Sequence, residues 1–234
     1  MKQSSDVFTF FNAQRFIFIC FIVLLNGCAK QPYAWDELEY LQQIRPKTNK
    51  KLIAAFGDSL TRGNDLKIDI AYPSLLENRL KSINCDYEVL NFGINGDTTE
   101  RALSRTQFVT EIENVKIVIL ELGANDSAKK VPSDEIKANL QKIIDEFKTR
   151  NITVVLCGYE LSESFDVKYR EDLKKMYSDL AKENNLMFLP SFMKDVANKK
   201  ELMSADNVHP NENGVKTIAQ NVFEIIRPLL DCSE

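Results

Sequence analysis

Five short apolar runs, each of strand length and each followed by a segment of helical period, constrain this chain more than any other feature. The runs are residues 51–56 (K-L-I-A-A-F), 87–92 (Y-E-V-L-N-F), 116–122 (K-I-V-I-L-E-L), 152–157 (I-T-V-V-L-C) and 186–189 (L-M-F-L). Segments near 72–82, 98–113, 133–149, 166–184 and 213–227 carry the helical period. Near-continuous apolar strands are buried on both faces, and parallel neighbours need crossover helices to supply that cover. The pattern predicts one three-layer α/β/α domain over residues 51–230, built on a central parallel sheet of about five strands. Pro132, with Asp134 and Glu135 in the turn after it, marks one helix start, and Pro228 limits the last helix. Neither an internal repeat nor a low-complexity tract is present.

Composition removes other classes. With 44% hydrophobic and 27% charged residues, 8 Gly and 7 Pro, the chain is neither disordered, collagenous nor disulfide-stapled. Lys and Arg total 30 against 34 Asp and Glu, a formal charge of -4 that gives no reason to expect nucleic acid as a partner. There is one histidine, His209, and no C-x-x-C pair. A multi-histidine metal site cannot be built from that inventory, so no metal and no cofactor is expected, and histidine-dependent chemistry must run through residue 209.

The N-terminus reads as a targeting segment. Ten apolar residues from Phe16 to Leu25 follow Lys2 and Arg15, a run of signal-peptide length that is too short to span a membrane. It ends in Leu25-Asn26-Gly27-Cys28. This resembles the lipobox of bacterial lipoproteins, with Asn26 in place of the usual small or β-branched residue. The resemblance implies a signal peptide over 1–27, lipidation at Cys28 and a tether with a short helix over 28–50. It further implies an exported, periplasm-facing protein held by its lipid anchor in the outer membrane of a Gram-negative bacterium. Cys85, Cys157 and Cys232 then remain for the fold. An odd number cannot all pair and Cys157 ends an apolar run, so buried or free thiols are expected in preference to a bridge.

In open α/β sheets ligands bind beyond the carboxyl ends of the strands, and four short blocks fall there or just before the last helix. Gly57-Asp58-Ser59-Leu60 follows the first strand; it can present a serine hydroxyl, or it can be simple turn chemistry. It is not the G-x-S-x-G elbow, because Thr61 occupies the final glycine position. Gly93-Ile94-Asn95-Gly96-Asp97-Thr98 follows the second strand, where Asp97 or Thr98 reads as a helix cap. In Gly123-Ala124-Asn125-Asp126, Asn125 can offer a side-chain N–H to a developing oxyanion or can belong to an ordinary turn. In Asp206-Asn207-Val208-His209-Pro210 a carboxylate stands three residues before the imidazole, close enough to fix its tautomer.

Taken in order, Gly57-Asp58-Ser59-Leu60, Gly96, Asn125 and Asp206-x-x-His209 resemble the SGNH (GDSL) hydrolase family. N-F-G-I-N-G-D-T-T, L-E-L-G-A-N-D and D-N-V-H-P are most similar to its bacterial periplasmic thioesterase/lysophospholipase/arylesterase branch. The resemblance implies a serine hydrolase that cleaves carboxylic ester or thioester bonds through an acyl-enzyme. In that scheme Ser59 is the nucleophile, His209 the base and Asp206 its orienter. The Ser59 and Gly96 backbone N–H groups and the Asn125 side chain form the oxyanion hole, and Gly93 serves the turn. The implied partners are small acyl esters, lysophospholipids among them, and a membrane reached through the lipid anchor. A carbohydrate O-acetylesterase using the same residues, and a non-catalytic envelope-anchored binding module, are the alternative readings. Arg62, where branch members often carry a small residue, reads as a solvated loop charge or as an attraction for acidic or phosphate-bearing substrates.

Overall fold

A computed structural model describes residues 33–232 of the chain. The targeting segment and Cys28 lie outside the described residues. The strands are β1 (Lys51–Gly57), β2 (Tyr87–Gly93), β3 (Val115–Glu121), β4 (Thr153–Cys157) and β5 (Met187–Leu189). The helices are α1 (Trp35–Gln43), α2 (Ser59–Arg62), α3 (Tyr72–Ser82), α4 (Thr99–Leu103), α5 (Gln107–Thr110), α6 (Ala124–Ala128), α7 (Ser133–Thr149), α8 (Val167–Asn184) and α9 (Glu212–Ile226). All strand pairs are parallel and the sheet order is β2-β1-β3-β4-β5.

Successive side chains of a strand face opposite sides, which divides the core. Ile53 and Ala55 of β1 join Ile117, Ile119 and Val155 in a cluster with Tyr72, Leu76 and Leu80 of α3 and Ile218, Val222 and Phe223 of α9. On the other side Phe56 packs edge-on against Phe147 of α7 at 5.3 Å between ring centroids. Helix α7 buries Ile136, Leu140, Ile143, Ile144 and Phe147, one stripe at helical spacing. This is the expected three-layer α/β/α sandwich on a five-stranded parallel sheet.

The chain runs from β1 outward to β2, then crosses back to place β3 on the other side of β1. The order in which successive strands are added reverses there, and such switch points are where α/β sheets bind ligands. Register sharpens the position: Gly57 is opposite both Gly93 and Glu121, and Glu121 is opposite Cys157. The carboxyl ends of four strands therefore finish at one level, and the loops that follow them meet there.

Two expectations are corrected. The helical segment 98–113 is broken into α4 and α5. Ser104 Oγ donates to the Arg101 carbonyl at 2.7 Å and Thr106 Oγ1 to that of Leu103, local bonds that compete with a continuous helix while the Arg105 side chain turns inward. Cys85 and Cys232 form a disulfide, leaving Cys157 as a buried thiol. The odd count required one unpaired cysteine and did not forbid a bridge between the other two. The short helix expected ahead of the core is α1, and residues from Trp35 onward form one unit with the sheet. Leu41 is fully buried, Tyr40 Oη donates to the Asn91 carbonyl on the outer strand β2 at 2.7 Å, and the backbone N–H groups of Lys47 and Thr48 donate to the Glu88 carboxylate. An outer strand needs such cover, since its unpaired backbone otherwise invites another strand.

Candidate active site

Ser59 is the first residue of α2, directly beyond β1. Asp58 caps that helix: its Oδ1 accepts the Leu60 N–H at 2.9 Å. The first N–H groups of a helix have no partner within it, so the Ser59 N–H is held at a helix start beside its own hydroxyl. Residues 204–210 bring the other half of the site. Asp206 Oδ1 accepts the N–H groups of Val208 and His209 at 2.9 and 3.0 Å, and Asn207 at φ 56 completes the turn. The second oxygen, Oδ2, stands 2.6 Å from His209 Nδ1. One carboxylate thus shapes the loop and orients the ring. The ring bond first, and then the two backbone bonds, hold Asp206 at a pKa of about 2. Across the site His209 Nε2 lies 2.8 Å from Ser59 Oγ, although the two residues are 150 positions apart in sequence.

Asn125 lies in α6, beyond β3. Its Nδ2 donates to Asp58 Oδ2 and to the Asp97 carbonyl, each at 3.0 Å, so the amide links the loops after β1, β2 and β3. Gly96 lies in the loop after β2 at φ +71, in the left-handed region that favours glycine, and space for a Cβ is open there. Gly93 ends β2 and does not itself make the turn; it is required by close approach, since a Cβ at this position would stand 2.2 Å from Arg62 N and 2.6 Å from Arg62 Cα. Beneath the serine, Glu121 Oε2 accepts from Thr61 Oγ1 at 2.8 Å and from the Asp58 N–H at 3.4 Å. Burial raises Glu121 to about 7, and burial together with the Glu121 charge raises Asp58 well above the carboxylate range. Two carboxyls at one buried site cannot both ionise cheaply, so the pair retains a proton near neutral pH.

A narrow crevice, too tight to hold a ligand as it stands, runs over Ser59 and His209 between Leu66 and Val215. A larger depression of about 450 Å³ is lined by Ala128, Lys130, Ser164, Phe165, Asp166 and Tyr169, on the loops beyond β3 and β4. The described residues contain no cluster of His, Cys, Asp and Glu able to hold a metal ion.

Residues 55–216 match the GDSL-like lipase/acylhydrolase family. This chain belongs to that family. It is 31% identical over 178 residues to an arylesterase of Vibrio mimicus, an alignment covering 76% of this chain and 88% of the relative. It is 30% identical over 175 residues to the thioesterase 1/protease 1/lysophospholipase L1 of Escherichia coli K12, covering 75% and 83%. The crystal structure of TesA superimposes with a TM-score of 0.74 at 27% identity, covering 77% of this chain and all of that one. The chain is an SGNH-type hydrolase acting on ester bonds.

Two charged residues of this SGNH hydrolase have remote partners. Of the two candidate caps, Thr98 is the one that caps the next helix, its Oγ1 accepting from the Arg101 N–H at 3.4 Å. Asp97 instead bonds Arg105 Nε at 2.8 Å, with both side chains fully buried. Arg105 also donates to the carbonyls of Phe92 at 2.7 Å and Gly57 at 2.9 Å, and its guanidinium lies 3.9 Å from the centre of the Phe56 ring. It clamps the ends of β1 and β2 to the Gly96 loop. The signal was the four-residue spacing of Asp97, Arg101 and Arg105, which places three charges on one side of a helical turn. Arg62 is half-buried, and its guanidinium stacks on the Tyr40 ring of α1 at 4.0 Å, a partner that its own loop does not reveal.

Proposed function

We propose that this protein hydrolyses acyl esters, lysophospholipids and thioesters included, through an acyl-enzyme on Ser59. The reading rests on one observation above all: the hydrogen-bonded line from Ser59 Oγ to His209 Nε2 at 2.8 Å and from His209 Nδ1 to Asp206 Oδ2 at 2.6 Å. Neutral His209 takes the Ser59 proton as Oγ attacks the carbonyl carbon, and Asp206 stabilises the imidazolium. The Ser59 N–H, the Gly96 N–H and the Asn125 amide receive the oxyanion. For the amide to do so, one of its present acceptors, Asp58 or the Asp97 carbonyl, must give way or share. The imidazolium then protonates the departing alcohol or thiol, and water repeats the sequence on the acyl-enzyme, restoring serine and releasing the acid.

The 450 Å³ depression beyond β3 and β4 is of a size that takes small ligands, and its apolar surface comes from Ala128, Phe165 and Tyr169. It suits the acyl chain. Cys28 is acylated after removal of residues 1–27, holding the domain at the outer membrane on its periplasmic side. Support comes from the apolar run before that cysteine and from the Cys85–Cys232 disulfide, which belongs to an oxidising compartment.

Hydrolysis of nitrophenyl esters from C2 to C12 by the wild type and Ser59→Ala tests the reading. Turnover favouring C6 to C12 and lost in Ser59→Ala is expected. Sole use of the C2 ester would transfer the site to sugar acetyl groups, and equal rates in both proteins would refute the serine mechanism.

A further inference from the structure

Helix α1 precedes the part of the chain matched to the family, which begins at residue 55, and only 77% of this chain is needed to cover the whole of TesA. Yet its side chains reach the site from two directions. Glu37 receives Arg101 Nη2 at 3.1 and 3.3 Å on its two carboxylate oxygens. Arg101 also reaches the loop proposed to hold the oxyanion: its Nη1 lies 3.5 Å from the Gly96 carbonyl and its Nε 3.8 Å from Asp97 Oδ1. The Glu37 and Arg101 side chains are only about a quarter exposed, at 25% and 26%, so water screens the pair less than it would a surface pair.

One turn further along α1, Tyr40 stacks on Arg62, the last residue of the nucleophile helix α2. The same tyrosine donates to the Asn91 carbonyl, and the Asn91 amide donates to the carbonyls of Thr61 at 3.1 Å and Arg62 at 3.4 Å. Asn91 Oδ1 in turn accepts the Gly93 N–H at 2.9 Å. The loop after β1 and the loop after β2, which supply the proposed nucleophile and one oxyanion donor, therefore share a support that lies outside the catalytic core.

We propose that Glu37 and Tyr40 are positioning residues for ester hydrolysis: α1 braces the Gly96 loop through Arg101 and the nucleophile helix through Arg62, and so sets the geometry in which the oxyanion is received. The proposal rests on the serine mechanism above. Neither residue touches the reacting atoms. Loss of the brace should therefore appear in kcat, because an oxyanion donor acts in the transition state, while the acyl-chain groove and KM stay as they are.

The test uses the full chain with Glu37→Gln, Glu37→Asp, Tyr40→Leu and Ser59→Ala, assayed on a nitrophenyl ester well below the unfolding temperature of each. Misplacing a reacting geometry by 1 Å costs about 100-fold, so partial loosening is expected to lower kcat about tenfold in Glu37→Gln and in Tyr40→Leu. KM should stay within about twofold, with partial recovery in Glu37→Asp, which keeps the charge. Phosphonate labelling of Ser59 should slow in parallel, since it passes through the same oxyanion site. Wild-type kcat and labelling rates in both variants, or a loss confined to thermal stability or KM, would overturn the brace while Ser59→Ala remained inactive. Activity persisting in Ser59→Ala would instead remove the serine mechanism on which the brace depends.

Discussion

Breaking the Cys85–Cys232 bond gives a perturbation whose size follows from the chain itself. The two residues are 147 positions apart, so the bridge closes everything from β2 through α9 into one loop in the unfolded state. The chain-entropy relation assigns such a loop about 5 kcal/mol of stabilisation at 25 °C. For a domain of this size each kcal/mol moves Tm by roughly 2 to 4 °C, which places the expected fall at about 10 to 20 °C. Cys232 is the better position to change. It is half-buried near the end of the described chain, whereas Cys85 lies in the core and its replacement would add a packing loss. Thermal unfolding of the wild type with and without reductant should show the same fall as Cys232→Ser, and the variant should ignore the reductant. Because Cys85 precedes β2 at the end of the sheet remote from Ser59, kcat at 25 °C should not change. A fall below about 3 °C in protein whose bridge has been verified by mass would refute the reasoning, as would matching shifts in reductant-treated Cys232→Ser.

Three further outcomes follow from the site. Asn125→Ala removes one proposed oxyanion donor and should reduce kcat about 100- to 1000-fold, while the bonds it loses to Asp58 and Asp97 cost about 1 to 3 kcal/mol of stability in denaturant melts. Glu121 has its pKa raised to about 7 in the folded protein from an ordinary 4.5, so the folded state binds the proton more tightly and stability is lost as pH rises through that window, by about 3 kcal/mol. Urea melts between pH 4.5 and 8 should show this decline in the wild type and a flatter profile in Glu121→Gln. Gly93→Ala would drive a Cβ into the Arg62 backbone and should cost about 3 kcal/mol, read as a lower denaturation midpoint together with reduced turnover as α2 shifts.

The five strands were legible because each is a near-continuous apolar run, and runs of that kind have one stable home, inside a parallel sheet covered on both sides. The serine, the histidine and its carboxylate were legible as blocks at loop positions, and the structure brings them within hydrogen-bond distance. What sequence concealed is every contact whose partner is remote and whose residue type has an ordinary local use. Asp97 fits a helix cap, and only the folded chain shows Arg105 buried against it. Arg62 fits a solvated loop charge until Tyr40, 22 positions earlier, lies across its guanidinium. Asp58 and Glu121 sit in different motifs, and burial raises both carboxyls at one site only because β1 and β3 are neighbours. Cysteine parity likewise says how many thiols remain, not which cysteines meet.

Covalent labelling of Ser59 tests the central claim most directly. After brief exposure to a fluorophosphonate, the peptide containing Ser59 should carry the phosphonyl adduct in the wild type and none in Ser59→Ala, with labelling slowed at least about 100-fold in His209→Ala, which lacks the proposed general base. An unmodified Ser59 peptide in wild-type enzyme that still hydrolyses nitrophenyl esters would contradict the account.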